Sequence, residues 1–218
     1  MIYCSVFDVT PLFGNTDELC SALSPRERER ADKYRQKEDK DRHICALSLL
    51  SMMLAYKNGN ISADSVENAQ IGETCVKILS FSRLEARPLP EIFLTERGKP
   101  CFADAEPHFS LSHSHGTIFV ALSDAPIGAD VELIDEKKRS DRLAERFFSD
   151  NEKGEDFFSV WTRKEAYVKM TGEGICSLRS LDTTACDASF LTLPYTDSEG
   201  RKYHFSLAFQ DGKKDNGL

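Results

Sequence analysis

Two acidic residues lie two positions apart in the segment IGADVELID, residues 127 to 135. Apolar residues alternate with other residues along this segment, which predicts a β-strand. Asp130 and Glu132 then project from the same face, about 7 Å apart. Carboxylates this close repel each other unless a positive charge lies between them, and a hard cation such as Mg²⁺ prefers oxygen ligands of this kind. We interpret the pair as candidate metal ligands; a solvent-exposed acidic face of a sheet is the alternative.

A third carboxylate occurs in WTRKEAYVK, residues 161 to 169, a segment with helical periodicity. Glu165 follows Trp161 by four residues, so both lie on the helix face that carries the aromatic side chains. Lys169 follows on that same face. The three carboxylates could converge on one cation, and the alternative for Glu165 and Lys169 is an ordinary ion pair on a helix surface.

The segment Ser112-His113-Ser114-His115 ends another predicted strand. An imidazole there can donate a hydrogen bond to a phosphate, or can cap a turn. Two histidines could also contribute to a zinc site, but no third ligand follows at the spacing of a known zinc motif.

Composition limits the classes of protein that fit. The 218-residue chain is 40% hydrophobic, which suffices for a folded core, and its net charge of -8 argues against a protein that mainly coats nucleic acid. Seven cysteines, an odd number without a C-x-x-C pair, are typical of free thiols in a reducing compartment. The first residues do not read as a signal peptide, and no apolar stretch approaches the ~20 residues of a membrane span. We therefore expect a cytoplasmic protein with no membrane partner.

The order of predicted elements favours an α+β fold over a doubly wound sheet, because strands and helices do not alternate regularly. Ser24-Pro25 predicts the start of a charged helical stretch, and residues 40 to 56 predict a core helix. Residues 108–114, 117–123 and 127–135 predict three successive strands in an antiparallel meander. Further predictions are a strand at 2–9, a strand-turn-strand at 91–102, helices at 141–150 and 152–171, a closing hairpin and a loose tail from 213 to 218, whereas residues 60 to 90 show no clear period.

The polar segments resemble a known family. HFSLSHS, IGADVE and FFSVWTRKEAYVKMTGEGI, in this order, resemble the three signature segments of the Sfp-type 4′-phosphopantetheinyl transferases. SPRERERADKYRQKEDKDR and the GKP turn resemble two further segments of the family, so the resemblance extends over roughly residues 1 to 210.

The resemblance implies a fold of two pseudo-symmetric halves, each a small, mainly antiparallel sheet packed with a long helix, which we place at residues 1–105 and 106–218. It implies that coenzyme A and magnesium bind in the cleft between the halves. The phosphopantetheine arm would move from coenzyme A to a serine of an apo acyl or peptidyl carrier protein, and adenosine 3′,5′-bisphosphate would leave. We expect the enzyme to be a monomer.

The resemblance also suggests roles for single residues. Asp130, Glu132 and Glu165 match metal ligands, and Lys169 matches a lysine on the pyrophosphate, so that Glu165 and Lys169 are the candidate catalytic residues. Glu165 would take the proton of the carrier serine either directly or through a metal-bound water, and both routes remain open. The remaining matches are on the coenzyme side: Ser112 and His113 near the 3′-phosphate, and Arg30, Arg42 and Lys99 among the basic residues that line the coenzyme.

Three positions depart from the family pattern. Ala129 replaces a bulkier apolar residue between the glycine and the aspartate, which should matter only to packing. Glu27 occupies a position where relatives often carry lysine, which leaves open whether Arg26, Arg28 or Arg30 contacts a phosphate. His43 replaces a small polar residue.

A basic and aromatic segment could dock the carrier protein, or could be an ordinary solvated helix. It contains Lys137, Lys138, Arg139, Arg142, Arg146, Phe147 and Phe148. Two rival functions are a related module that binds coenzyme A or carrier without transfer, and a metal-dependent phosphohydrolase. The intact acidic residues argue against the first.

Overall fold

The computed structural model describes residues 1–104, 106–135 and 141–211 of the chain. They form a mixed α+β structure, as the sequence predicts. The elements in chain order are β1 (Ile2–Asp8), a 3₁₀ turn (Thr10–Leu12), α1 (Asp17–Ser21), α2 (Pro25–Asp32), α3 (Lys37–Lys57), β2 (Ser65–Ile71), β3 (Thr74–Ser80), β4 (Ile92–Leu94), β5 (Pro100–Phe102), β6 (His108–Ser114), β7 (Thr117–Ser123), β8 (Ile127–Leu133), α4 (Asp141–Phe147), α5 (Phe157–Thr171), a second 3₁₀ turn (Ile175–Arg179), β9 (Ser189–Thr196) and β10 (Lys202–Phe209).

The first sheet has five strands in the order β2-β3-β1-β7-β6, and only the β1–β3 pair within it is parallel. Helix α3 covers one face of this sheet. Its buried apolar residues share a core with Ile118, Val120 and Leu122 of β7. Because side chains alternate along a strand, Phe119 and Ala121 face the opposite side and enter a second core.

The second sheet has three antiparallel strands in the order β8-β10-β9. One face contributes Ala129, Val131 and Leu207 to the second core, which the two sheets share. Helix α5 covers the other face, where Ala166 and Met170 pack against Ala208 of β10. Each sheet is therefore packed with one long helix, and Asp130 and Glu132 lie on the β8 face that is turned towards α5.

Several predicted elements are confirmed, among them the core helix, the β4–β5 turn and the closing hairpin β9–β10. Ser24 caps α2, since its hydroxyl accepts a hydrogen bond from the Glu27 amide at 3.2 Å. The charged stretch is two helices instead of one, because α2 ends at Asp32 and α3 begins at Lys37. Helices α4 and α5 are also shorter than predicted: α4 ends at Phe147, and α5 begins at Phe157.

The predicted meander is wrong in its third strand. Strands β6 and β7 pair as expected, but β8 leaves this sheet and pairs with β10. Connection length favoured the meander, whereas in the observed pairing the apolar residues of β8 and β10 enter the core that the two sheets share. The hairpin β2–β3 falls within the segment left unassigned, where most of β2 is exposed and so shows no apolar alternation.

The proposed division at residues 105 and 106 does not coincide with the division between the sheets, because β6 and β7 pair with the N-terminal strands. In the part of the chain that the structure describes, no helix has both the length and the apolar character needed to cross a lipid bilayer. The tail from 213 to 218 lies outside the described residues.

Candidate active site

The three predicted metal ligands line one pocket. Asp130 and Glu132 reach it from β8 and Glu165 reaches it from α5, around a cavity of about 370 Å³. Four of the remaining lining residues are Ser112, His113, Trp161 and Lys169. Six of the residues selected from the sequence are thus brought together from three segments far apart in the chain.

Gly128 explains how closely α5 approaches β8. A Cβ atom at this position would lie 1.8 Å from the carbonyl oxygen of Ala166 and 2.6 Å from the amide nitrogen of Met170. These are backbone atoms of the helix, so a side chain there would push α5 away. The glycine of IGADVE therefore sets the distance between the strand that carries Asp130 and the helix that carries Glu165.

Asp130 is only 4% exposed, and only one of its two carboxylate oxygens accepts hydrogen bonds. Its Oδ1 accepts hydrogen bonds from Lys169 Nζ at 2.6 Å and from Ser112 Oγ at 2.8 Å. Its Oδ2 is buried and has no hydrogen-bond partner. A buried carboxylate oxygen without a partner costs free energy, and a hydrogen-bond donor or a cation beside it would remove that cost.

The negative charge of Asp130 also affects the ionisation of Glu165. Burial first, and then the charge of Asp130, raises the pKa of Glu165, while Lys169 lowers it to a smaller extent. A cation bound among these groups would favour their ionised forms. Within the described ranges, no three acidic, histidine or cysteine side chains are close enough to form a ready-made metal site. The donor set nevertheless fits Mg²⁺, which prefers a few carboxylates together with water and phosphate oxygens.

A second pocket of about 250 Å³ opens beside the first and shares Lys169 with it. Lys99 lines this pocket, and its Nζ donates to the carbonyl oxygen of Met170 at 2.7 Å. Burial lowers the pKa of Lys99. Gly172 and Gly174 border the pocket at the end of α5.

A third pocket of about 190 Å³ is lined by Arg30 and His113, two of the predicted coenzyme-side residues. Leu111 lines all three pockets, so they adjoin one another. The protein around the His113 ring, followed by the positive charges of Arg42 and Lys169, lowers the pKa of His113. Its imidazole is thus favoured in the neutral form, which retains one N–H donor.

Two of the departures from the family pattern, Glu27 and His43, meet in the third pocket. His43 Nε2 lies 3.3 Å from a carboxylate oxygen of Glu27, and the ring of Tyr34 packs against His43. Burial pushes the pKa of Glu27 upwards, but His43 and Arg30 outweigh it and the net shift is downwards. In the sequence, Glu27 and His43 are two separate departures from the family pattern, and no local pattern indicates that their side chains are in contact.

Of the three arginines left open by the sequence, Arg30 is the one that lines this pocket. Arg26 pairs with Glu91 at 3.2 Å on the surface, and Arg28 is exposed. Arg42 lines a neighbouring pocket, where it pairs with Asp39 and donates to the carbonyl oxygen of His115 at 2.8 Å. Arg42 and His113 therefore line different pockets, although the charge of Arg42 still acts on His113.

Lys164, beside Glu165 in the sequence, has a structural role. It is fully buried and pairs with Glu152 Oε2 at 2.9 Å. Its Nζ also donates to the carbonyl oxygen of Leu181, and Glu152 accepts from the amide of Thr183 at 2.8 Å. These bonds join the loops at 149–152 and 181–183 to the helix that carries Glu165.

Comparison with known proteins points in one direction. The family described as the 4′-phosphopantetheinyl transferase superfamily (ACPS) matches residues 126–217, which include β8 and α5. The 4′-phosphopantetheinyl transferase AcpT of Salmonella typhi is 34% identical over 149 residues, 59% of this chain and 78% of the relative. The 4′-phosphopantetheinyl transferase psf-1 of Bacillus pumilus is 35% identical over 159 residues, covering 64% and 67% of the two chains. The 4′-phosphopantetheinyl transferase ffp of Bacillus subtilis is 29% identical over 172 residues, covering 73% and 65%.

Proposed function

The chain belongs to the 4′-phosphopantetheinyl transferases, and from this membership and its pocket we propose that it transfers the phosphopantetheine arm of coenzyme A to a serine of an apo carrier protein. The carrier is an acyl or peptidyl carrier protein. Adenosine 3′,5′-bisphosphate is the other product. The observation that carries the proposal is the meeting of Asp130, Glu132, Glu165 and Lys169 around one pocket.

The reaction is a phosphoryl transfer, which asks a protein mainly for positioning and charge neutralisation. Asp130, Glu132 and Glu165 would hold a magnesium ion, which when bound supplies the charge that neutralises a pyrophosphate. The unpartnered Oδ2 of Asp130 supports this assignment. Lys169, shared by two pockets, adds a second positive charge beside the pyrophosphate.

In the chemical step, the serine oxygen of the carrier forms a bond to the phosphorus that bears the pantetheine arm. The bond from this phosphorus to the bridging oxygen breaks, and the electron pair leaves with adenosine 3′,5′-bisphosphate. Glu165 receives the serine proton, directly or through a water. Its raised pKa in the metal-free protein supports a role as base, whereas a cation beside it would weaken that role.

The coenzyme side of the site combines Arg30, Lys99, Ser112 and His113. Lys99, Ser112 and His113 border the pockets that adjoin the carboxylates, and Arg30 lines the third pocket. Arg42, in the neighbouring pocket, remains a candidate for the outer part of the nucleotide. These groups bind the substrate and its transition state alike, which lowers KM more than it raises kcat.

Carrier docking is assigned to the segment at α4. Arg142 and Arg146 are exposed and offer positive charge to an acidic partner, but Phe147 is buried against Trp161 and so does not offer an apolar contact. Lys137, Lys138 and Arg139 lie outside the described residues.

We further propose a cytoplasmic monomer, divided functionally into residues 1–105 on the nucleotide side and 106–218 on the metal side. The seven free thiols agree with a reducing compartment.

Incubation of the protein with a panel of apo carriers, coenzyme A and Mg²⁺, followed by mass spectrometry, tests the function. We expect at least one carrier to gain one phosphopantetheine group and EDTA to abolish the gain. Binding of coenzyme A without any carrier modification would indicate a binding module. Release of phosphate from nucleotides without a carrier would indicate a phosphohydrolase.

A further inference from the structure

Three serines of β6 form a regular contact with the free edge of β8. The amides of Ala129, Val131 and Leu133 donate to the hydroxyls of three serines nineteen residues earlier in the chain, at 2.9, 3.3 and 3.1 Å. These serines are Ser110, Ser112 and Ser114. Alternate amides of an edge strand point away from its sheet and need acceptors. Serine at every second position of β6 supplies them.

A serine hydroxyl can accept one hydrogen bond and still donate its own proton. Ser112 Oγ donates to Asp130 Oδ1 at 2.8 Å, and Ser114 Oγ donates to Glu132 Oε2 at 3.1 Å. Each of these serines thus contacts the amide of one β8 residue and the carboxylate of the residue before it. The same register places Ser110 opposite Gly128, which has no side chain.

We propose that Ser114 is a positioning residue for the metal site: its hydroxyl holds the carboxylate of Glu132 in the orientation in which it binds Mg²⁺, as Ser112 holds Asp130. The proposal rests on the proposed function, because that function requires the metal. Ser114 is 7% exposed, and its side chain acts through Glu132.

The expected effect concerns metal affinity. Removal of a hydrogen-bond partner of a metal-ligating carboxylate typically weakens metal binding by about 10–100-fold. Ser114→Ala should therefore bind metal about 10-fold more weakly or worse than the unaltered protein. Its transfer rate should recover towards that of the unaltered protein at high Mg²⁺, because the variant loses the orientation of a ligand and not the ligand itself.

Ser110→Ala is the matched control. It also removes a hydroxyl that accepts a hydrogen bond from a β8 amide, but among the described residues no carboxylate accepts a hydrogen bond from that hydroxyl. We expect both variants to lower the melting temperature to a similar extent and only Ser114→Ala to change metal affinity.

The measurement is a titration of each full-length protein with Mn²⁺ in place of Mg²⁺, with free Mn²⁺ followed by electron paramagnetic resonance. Equal Mn²⁺ affinity in Ser114→Ala and Ser110→Ala would overturn the proposal, and so would a lack of Mn²⁺ binding by the unaltered protein. Neither result depends on carrier modification, so failure of the positioning role is distinguishable from failure of the transferase function. A Ser114→Ala protein that fails to fold while Ser110→Ala folds would also overturn it, because the residue would then be structural.

Discussion

Asp130 is the single residue on which the candidate site depends most, because one of its oxygens is bound and the other is buried without a partner. Asp130→Asn keeps the size and a hydrogen-bond acceptor for Ser112 and Lys169 but removes the negative charge. A metal contributes several kcal/mol of transition-state stabilisation, and each ~1.4 kcal/mol is a factor of ten in rate. We expect transfer to fall on the order of 100-fold or more, as measured by steady-state carrier modification.

The fold should survive this substitution, since Lys169 is 31% exposed and water can solvate its ammonium group once the charged partner is lost. Circular dichroism provides the control. Unchanged turnover in a folded Asp130→Asn protein would contradict the assignment of Asp130 as a metal ligand.

Glu165 gives a prediction about pH. Its pKa in the folded protein is raised from 4.5, so the ionised side chain destabilises the metal-free fold at neutral pH. This cost is fully present above the raised folded pKa, decreases as the pH falls through it, and is absent below the unfolded value. In EDTA, Glu165→Gln should therefore have a higher melting temperature than the unaltered protein at neutral pH, and the difference should shrink in mild acid.

Addition of Mg²⁺ should reverse this order, because only the unaltered protein retains all three carboxylates for the metal. Differential scanning fluorimetry over a pH series, with and without Mg²⁺, measures both effects. Identical melting temperatures for Glu165→Gln and the unaltered protein in EDTA at every pH would show that the side chain is not in the environment described here.

At the scale of elements, the contact between β8 and α5 determines whether the carboxylates meet. Gly128→Ala would place a Cβ atom against backbone atoms of α5, which cannot rotate away. Overpacking of this kind destabilises proteins by about 1–3 kcal/mol, occasionally more. We expect a lower melting temperature together with a marked loss of transfer, because the displaced helix carries Glu165 and Lys169.

Gly59→Ala separates the loss of stability from the loss of geometry. Gly59 has φ +74° at the end of α3, and among the described residues no atom beyond its two chain neighbours lies within 4 Å of the position of a Cβ there. Alanine in this left-handed conformation costs about 1–2 kcal/mol without a clash. Retained transfer in Gly59→Ala and lost transfer in Gly128→Ala are the expected pair of results in thermal and activity assays. Equal activity of the two variants would contradict the role given to Gly128.

Local patterns in the sequence predicted the elements with a strong apolar period, such as α3, and suggested that Asp130, Glu132 and Glu165 could share one cation. The resemblance added the coenzyme-side candidates Arg30, Arg42 and Lys99, which no periodicity singles out. The placement of β8 in the second sheet could not be predicted, because its pairing with β10 joins residues 70 to 82 positions apart in the chain. The serines of β6 did carry a signal, since their spacing of two matches the alternate amides of an edge strand.

At the scale of the whole molecule, the two sheets do not form independent units. Strand β7 pairs with β1 over seven residues, and Phe119 and Phe205 pack together in the core that both sheets share. Separation of the halves would expose this core and break the β1–β7 ladder. The functional division at residues 105 and 106 therefore need not be a division in stability.

We accordingly predict a single cooperative unfolding transition. Trp161 is the one tryptophan in the sequence, so its fluorescence reports on α5, whereas far-ultraviolet circular dichroism reports on the helices and strands of both halves. In a two-state transition, probes of different regions give the same midpoint. Urea titrations followed by the two signals should superimpose. If the circular dichroism retained half of its amplitude after the tryptophan transition was complete, the halves would be separable, and the shared core would contribute less to the free energy of unfolding than its burial indicates.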